Sequence, residues 1–274
     1  MTRLQDLDAS TDWQRRDSYH WTTQLPRRAW AWELLRRNAD YRAAWSALTP
    51  SLRAKRHISG IAAIKSSIPD ANMDGWGLIA PFENPDRDAR EANVFWSSHV
   101  CRTVLPVMAI RGGEHDVSDL LPLTGHLCRT LINVDASGRQ HVLFTHDGRS
   151  LQLEVRGVSV FEAERLLVDI PPPAGSPNNY FRALKQFSDF MRHGELRRSL
   201  YPPYSQGRRL AEVIQALDGW RQGATHRKIA QALVGEERFE RDWRHQRSHL
   251  LNRVRRAIKR GRVLIAGDYR RFLA

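Results

Sequence analysis

Two short pairs in the sequence suggest a metal. His99-Val100-Cys101 and His126-Leu127-Cys128 each place an imidazole and a thiol two residues apart. On a strand such residues share a face, so two pairs could give zinc four ligands. The spacing is that of neither a zinc ribbon nor a zinc finger. Two half-buried cysteines on separate elements is the simpler reading, so the expectation is no metal. Gly112-Gly113-Glu114-His115-Asp116 holds acid and base types, but its glycines read as a loop. The chain has no phosphate-binding glycine loop, no Gly-x-Ser-x-Gly elbow and no His-Glu-x-x-His pair. These absences point away from an enzyme, and no cofactor is implied. Two cysteines make no disulfide framework.

The stronger signal is cationic. The 274 residues carry a formal net charge of +13, and it is uneven. Residues 1–60 hold 11 basic and 6 acidic side chains, residues 61–180 hold 10 and 15, and residues 181–274 hold 22 and 9. One basic module on a larger chain is the footprint of a nucleic-acid-binding protein. No Asp or Glu occurs between Arg244 and Arg262. A helical run of one sign repels itself unless an anion covers it. At 100° per residue, Leu250, Leu251, Val254 and Ile258 share one side of a helix. His249, Asn252, Arg253, Arg256, Lys259 and Arg260 share the other. A recognition helix needs this division: an apolar back, with Arg able to grip a guanine edge and Asn an adenine edge. Lys228 and Arg244 would hold phosphate. Thr225, Arg227, Arg247, Ser248 and Arg262 complete the candidate DNA surface. Because that face reads as exposed, changing Arg253 and Arg256 to Ala is expected to spare folding and weaken binding.

Three helices would position this face. The first carries Leu210, Val213, Ile214 and Leu217 and ends near Gly223. The second starts at the cap Thr225, carries Ile229, Ala230 and Leu233, and ends at Gly235. The third runs from Asp242 or Ser248 to Arg260, with Gly261 as its stop. Val263-Leu264-Ile265 and Tyr269–Leu273 would then pair as a hairpin wing. The whole is a helix-turn-helix, winged if that hairpin forms.

Upstream, Pro171-Pro172-Pro173-Ala174-Gly175-Ser176-Pro177 reads as a stiff linker. Tyr180–Gly194 is expected as a helix on Phe181, Leu184, Phe187 and Met191. The β-like runs are Val104–Ile110, Leu127–Val134, His141–Thr145, Leu151–Val158 and Leu166–Ile170. Asp135-Ala136-Ser137-Gly138 and Asp147-Gly148 read as turns between them. Leu151, Leu153 and Val155 alternate with Gln152, Glu154 and Arg156, as in a half-buried strand. These runs predict a small antiparallel meander, preceded by a loop from Pro81 to Pro85 and a short helix over Ala89–Phe95. At the front, Pro26 opens a helix over Arg27–Arg37 with Asn38 as its stop. Asp40 caps a second helix holding Tyr41, Trp45 and Leu48. The tryptophans Trp13, Trp21, Trp30, Trp32 and Trp45 read as a small core. The fold class is therefore α+β: a Trp-rich helical domain over 1–60, a β-containing domain over 74–170, a linker over 171–179 and a basic domain over 180–274.

Several stretches resemble a known family. Ile229-Ala230-x-x-Leu233, Asp242-Trp243-Arg244, Leu251-x-Arg253-Val254-Arg255-Arg256-Ala257, and Arg260-Gly261-Arg262 through Gly267-x-Tyr269-Arg270-Arg271 resemble the DUF2285 family of proteobacterial transcription regulators. Asp12-Trp13, Tyr19 and Ala29-Trp30-Ala31-Trp32-Glu33-Leu34-Leu35-Arg36-Arg37-Asn38 through Tyr41-Arg42 resemble the transcriptional regulator-like domain (DUF6499) often fused in front of it. Trp76-Gly77-Leu78 and Phe95-Trp96 fit the same architecture. Glu33-Leu34-Leu35 and Gln246-Arg247 depart from the usual pattern, and the second leaves the start of the recognition helix open. The resemblance implies a DNA-binding activator, often linked to mobile elements or secretion genes. Double-stranded promoter DNA is the expected partner, with self-association and contact to RNA polymerase or a small regulatory protein through the acidic middle. An RNA-binding or replication/mobilisation accessory protein is the alternative; a metal-dependent enzyme ranks below both. Met1–Ser10 is polar, and no apolar run reaches a membrane span, so the expectation is a cytoplasmic, nucleoid-associated protein without a membrane partner.

Overall fold

The computed structural model describes residues 12–48, 56–58, 61–65, 75–79, 83–111, 123, 126–135, 137–163, 165–168 and 177–274, with the side chains of 56–65, 177 and 244–247 left out. Pro81 and Phe82 of the expected loop, the Gly112–Asp116 group and most of the proline linker lie outside the described residues. No described helix is long and apolar enough to cross a membrane.

The chain is α+β. A 3-10 helix (Arg16–Gln24) leads into α1 (Arg27–Leu35) and α2 (Ala39–Ser46). Among the described residues seven strands follow: β1 (Arg56–Ile58), β2 (Ile61–Lys65), β3 (Val104–Ile110), β4 (Arg129–Val134), β5 (Gln140–His146), β6 (Arg149–Gly157) and β7 (Arg165–Val168). The chain ends in α3 (Pro177–His193), α4 (Gly207–Arg221), α5 (His226–Val234) and α6 (Glu236–Ala266), with 3-10 turns at Arg198–Leu200 and Asp268–Phe272.

Pro26 sits at the N-cap of α1. The stripe of Trp30, Ala31, Leu34 and Leu35 is buried, but so are Trp32 and Glu33, because the helix is enclosed on every side. Asn38, not Asp40, caps α2: its Oδ1 accepts from the Tyr41 amide at 2.9 Å. Segment 89–95 forms turns and extended chain rather than the expected helix. Its backbone is spent on side chains elsewhere: the Ala89 amide donates to Glu33 and the Asn93 amide to Glu83.

The sheet order is β1-β2-β4-β5-β6-β3-β7. The meander expected from the turns is present as antiparallel β4-β5-β6. It is only the centre of a mixed sheet, since β2 lies parallel to β4 and β3 parallel to β6. Parallel partners are joined by long excursions, which local turn signals do not reveal. Nor is β6 half-buried: Leu151, Leu153 and Val155 face one core, while Gln152 and Glu154 are buried on the other face. The first face packs on α3 through Tyr180, Ala183, Phe187 and Phe190. The second face meets segment 93–96 and the α1 side chain Arg28, which bonds Gln152.

A separate core joins the two ends of the chain, with Leu78, Ala92, Trp96 and Cys101 from the middle. Trp13, Tyr19, Trp30, Trp32 and Leu35 share it with Leu210, Ile214, Ile229, Val254, Leu264 and Tyr269. Here α6 differs from the expected third helix. It starts directly after Gly235 and runs 31 residues, about 46 Å, straight through Gly261. Gly261 is a close-packing residue rather than a stop: a Cβ there would lie 3.2 Å from Leu217 on α4. The wing does not form. Asp268–Phe272 is a 3-10 turn whose Tyr269 and Phe272 are buried. Tyr269 Oη donates to the Trp76 carbonyl at 2.9 Å, and the Arg102 amide donates to the Leu273 carbonyl at 3.0 Å. Apolar contact with the helical core outweighs the β-propensity of Val263–Ile265.

Candidate nucleic-acid interface

The basic face is set by how α5 and α6 seat on α4. Thr225 Oγ1 accepts from the Lys228 amide at 3.3 Å and starts α5. Ile229, Ala230 and Leu233 are buried. Gly235, at φ +86°, turns the chain straight into α6. That conformation suits glycine, and no longer turn is left between the helices. The first turn of α6 carries Glu236 and Glu237, which complement the helix dipole. Phe239 and Trp243 stack 4.7 Å apart, and the Arg227 guanidinium lies over Trp243 at 5.3 Å. Arg227 thus lies across the α5–α6 joint, and both it and Lys228 are exposed.

Further along, Leu250, Val254, Ile258, Gly261 and Leu264 form the inward seam of α6. Leu251 is only half-buried. Ser248, His249, Asn252, Arg255, Arg256, Lys259 and Arg262 are exposed on the opposite side. Among the described residues none of these cations makes an ion pair with an acid. Asn252 Oδ1 accepts weakly from Arg255 at 3.4 Å, and the Arg262 guanidinium lies 5.3 Å from the Trp220 ring. The stripe is a row of donors at helical spacing from Ser248 to Arg262, about four turns long at 3.6 residues per turn. Such a row suits polyanion backbone and base edges.

Two expected members lie at the margin of this stripe. Arg253 is half-buried and pairs with Glu212 on α4 at 2.6 Å. It is not on an open face, so Arg253→Ala does not leave folding contacts untouched. Arg260 reaches Gln206 at 3.2 Å, and burial together with nearby Arg209 and Arg271 lowers its pKa. Arg255, absent from the expected set, is exposed instead. It is three residues beyond Asn252 and four before Lys259, so the same periodicity places it on their face. Arg244 and Arg247 lie on α6, but their side chains are outside the description.

The platform beneath is held by buried charge. Glu33, fully buried on α1, accepts from Arg36 at 2.9 Å, Arg37 at 2.8 Å and the Ala89 amide at 2.7 Å. Burial alone would raise its pKa, but Arg36 and Arg37 outweigh that and lower it. Arg37 also clasps both oxygens of Asp218 on α4 at 3.0 and 3.1 Å, and Tyr19 Oη donates to the same carboxylate at 2.9 Å. Asn38 Nδ2 donates to the Ile265 carbonyl at 2.8 Å, satisfying one acceptor in the last turn of α6. Trp13 packs on Gly219, where a Cβ would come within 2.8 Å of its ring. Thus the N-terminal helices brace the C-terminal ends of α4 and α6. The run Glu33 to Asn38 was visible in the sequence, but nothing there paired it with Asp218.

The two His-x-Cys pairs do not assemble. Cys101 belongs to the helical core and Cys128 to the sheet core. His126 accepts from the Cys128 amide at 3.1 Å and stands edge-on to Phe144 and Phe190. Burial pushes the Cys128 thiol up, away from the thiolate a metal needs. No group of three His, Cys, Asp or Glu among the described residues is placed to hold a metal ion.

Residues 179–274 match the family model described as a type VI secretion system transcription factor, DNA-binding domain. Residues 12–79 match the proteobacterial transcriptional regulator-like domain. No curated protein matches the chain. The two matches support a DNA-binding transcription regulator. The first spans α4, α5 and α6 with the basic stripe, and the second spans the helices that brace them.

Proposed function

We propose that the exposed stripe of α6, from Ser248 to Arg262, lies along duplex DNA and that α5 and α6 act as a helix-turn-helix. In this reading Asn252, Arg255, Arg256 and Lys259 face base edges and phosphates. Ser248, His249 and Arg262 extend the contact. Thr225, Lys228, Arg244 and Arg247 meet the flanking backbone, with Arg253 and Arg260 at its border. The observation that carries the reading is the row of exposed cations with no acid partner among the described residues, on a helix otherwise tightly seated. Its self-repulsion is relieved by a polyanion.

The finer reading follows the sequence resemblance. The chain is a member of the DUF2285 regulators with an N-terminal DUF6499 domain, and it activates genes of mobile-element transfer or secretion. It works as a homo-oligomer on promoter DNA, and its acidic middle meets RNA polymerase or a small regulatory protein. Sedimentation with and without promoter DNA tests the oligomer. Chromatin immunoprecipitation followed by reporter assays tests the targets and the direction of regulation. The interface itself is tested by comparing duplex DNA, single-stranded DNA and RNA. Duplex preference that is lost in Arg256→Ala with Lys259→Ala supports it; equal binding of all three, or unchanged affinity in that variant, refutes it.

A further inference from the structure

A second cationic site lies away from α6, at the seam between the two cores. It is a cavity of about 300 Å³ lined by Trp21, Arg90, Asp147, Arg149, Arg198 and Tyr201. Trp21 packs on the helical core and Tyr201 belongs to the sheet core. The floor is the joint where Pro26 bridges Pro203 and the Tyr204 amide donates to the Leu25 carbonyl at 2.9 Å. Seams between packed units are favoured positions for small-molecule sites, and this volume is at the lower end of their usual range.

The lining has more cation than the protein neutralises. Arg90 is held by Asp88 at 2.5 Å, and its guanidinium covers the Trp21 ring at 4.1 Å. Arg198, at the exposed rim, meets Asp147 only at 3.4 Å. Arg149 has no carboxylate partner among the described residues and bonds the Leu196 carbonyl. The Tyr201 hydroxyl is buried, with no hydrogen-bond partner among the described residues. Guanidinium forks match carboxylate and phosphate oxygens, and the Trp21 and Tyr201 rings suit a flat apolar body.

We infer that this cavity binds a small organic anion, a carboxylate or phosphate monoester carried on a flat ring, held by Arg149 and Arg198 between Trp21 and Tyr201. The ligand would join the β5–β6 turn to the joint that leads into α4. The site is independent of the DNA reading, because its residues lie outside the α6 stripe.

Isothermal titration of the full chain with benzoate, phenyl phosphate and the neutral benzyl alcohol tests it. Saturable binding of at least one anion is expected, with none for benzyl alcohol. The preferred anion then identifies the headgroup. Arg198→Ala, at an exposed position, should weaken binding about tenfold, the loss of one charge-assisted hydrogen bond. Arg149→Lys, checked for an unchanged unfolding midpoint, should weaken it as well. The variant with Arg255, Arg256 and Lys259 changed to Ala should bind the anion normally. No saturable binding of either anion overturns the inference. So do equal binding of benzyl alcohol, affinity unchanged in both Arg198→Ala and Arg149→Lys, and loss of binding in the α6 variant.

Discussion

Arginine does opposite work in two regions of this molecule. Around Glu33 and Asp218, the guanidiniums of Arg36 and Arg37 are buried and matched by carboxylates. Along the outer face of α6, Arg255, Arg256 and Lys259 are exposed and unmatched by any acid among the described residues. The side chains are alike; the presence of an acid in reach decides whether a cation builds the platform or faces outward from it. Arg253 marks the boundary, since one acid, Glu212, turns it inward.

This contrast can be broken at several points. The largest effect is expected at Arg37. Its removal leaves the buried Glu33 and the part-buried Asp218 with too few partners, and the loss of a buried pair costs about 3–5 kcal/mol. Urea unfolding measures this; a loss below about 1 kcal/mol would place Arg37 with the surface cations. Glu33→Gln is expected to cost less, because an amide keeps part of the hydrogen bonding. It also carries a pH signature. The folded-state pKa of Glu33 is lowered, so its stabilisation is full above the ordinary carboxylate value near 4.5 and is lost as pH falls through the lowered value. The variant should show a flatter acid limb in stability against pH, and an unchanged limb would remove Glu33 from the account.

On the outer face the effect should move from stability to binding. Arg256→Ala is expected to cost about 1–3 kcal/mol of duplex DNA affinity if it meets a base edge, and to leave the unfolding midpoint nearly fixed. Arg253→Ala should show the smallest effect, below about 1 kcal/mol of stability for a part-exposed pair, with a lesser loss of DNA affinity than Arg256→Ala. A reversed order of the two in a gel-shift titration would move the interface to the α4 side of the helix.

Some of this was legible in the sequence. The apolar seam Leu250, Val254 and Ile258 follows from helical spacing, as do the cap at Thr225 and the meander around Asp147-Gly148. These features are local. The missed ones depend on distant partners. Gly261 reads as a stop until Leu217 stands against it. Val263–Ile265 reads as a strand until α6 continues through it. Arg253 reads as exposed until Glu212 faces it across 41 residues of sequence. Likewise, Gln152 and Glu154 look solvent-facing because alternation shows one buried face and cannot show that segment 93–98 covers the other. The union of both chain ends in one core is invisible to any local pattern, since Arg37 and Asp218 are 181 residues apart.

The most direct test is the salt dependence of duplex DNA binding, compared between the native chain and the variant with Arg255, Arg256 and Lys259 changed to Ala. Each lost phosphate contact lowers the slope of log affinity against log salt by about 0.9. A steep slope is expected in the native chain, a shallower one by up to about 3 in the variant, and unchanged unfolding midpoints. Identical slopes and affinities in two equally folded proteins would contradict it.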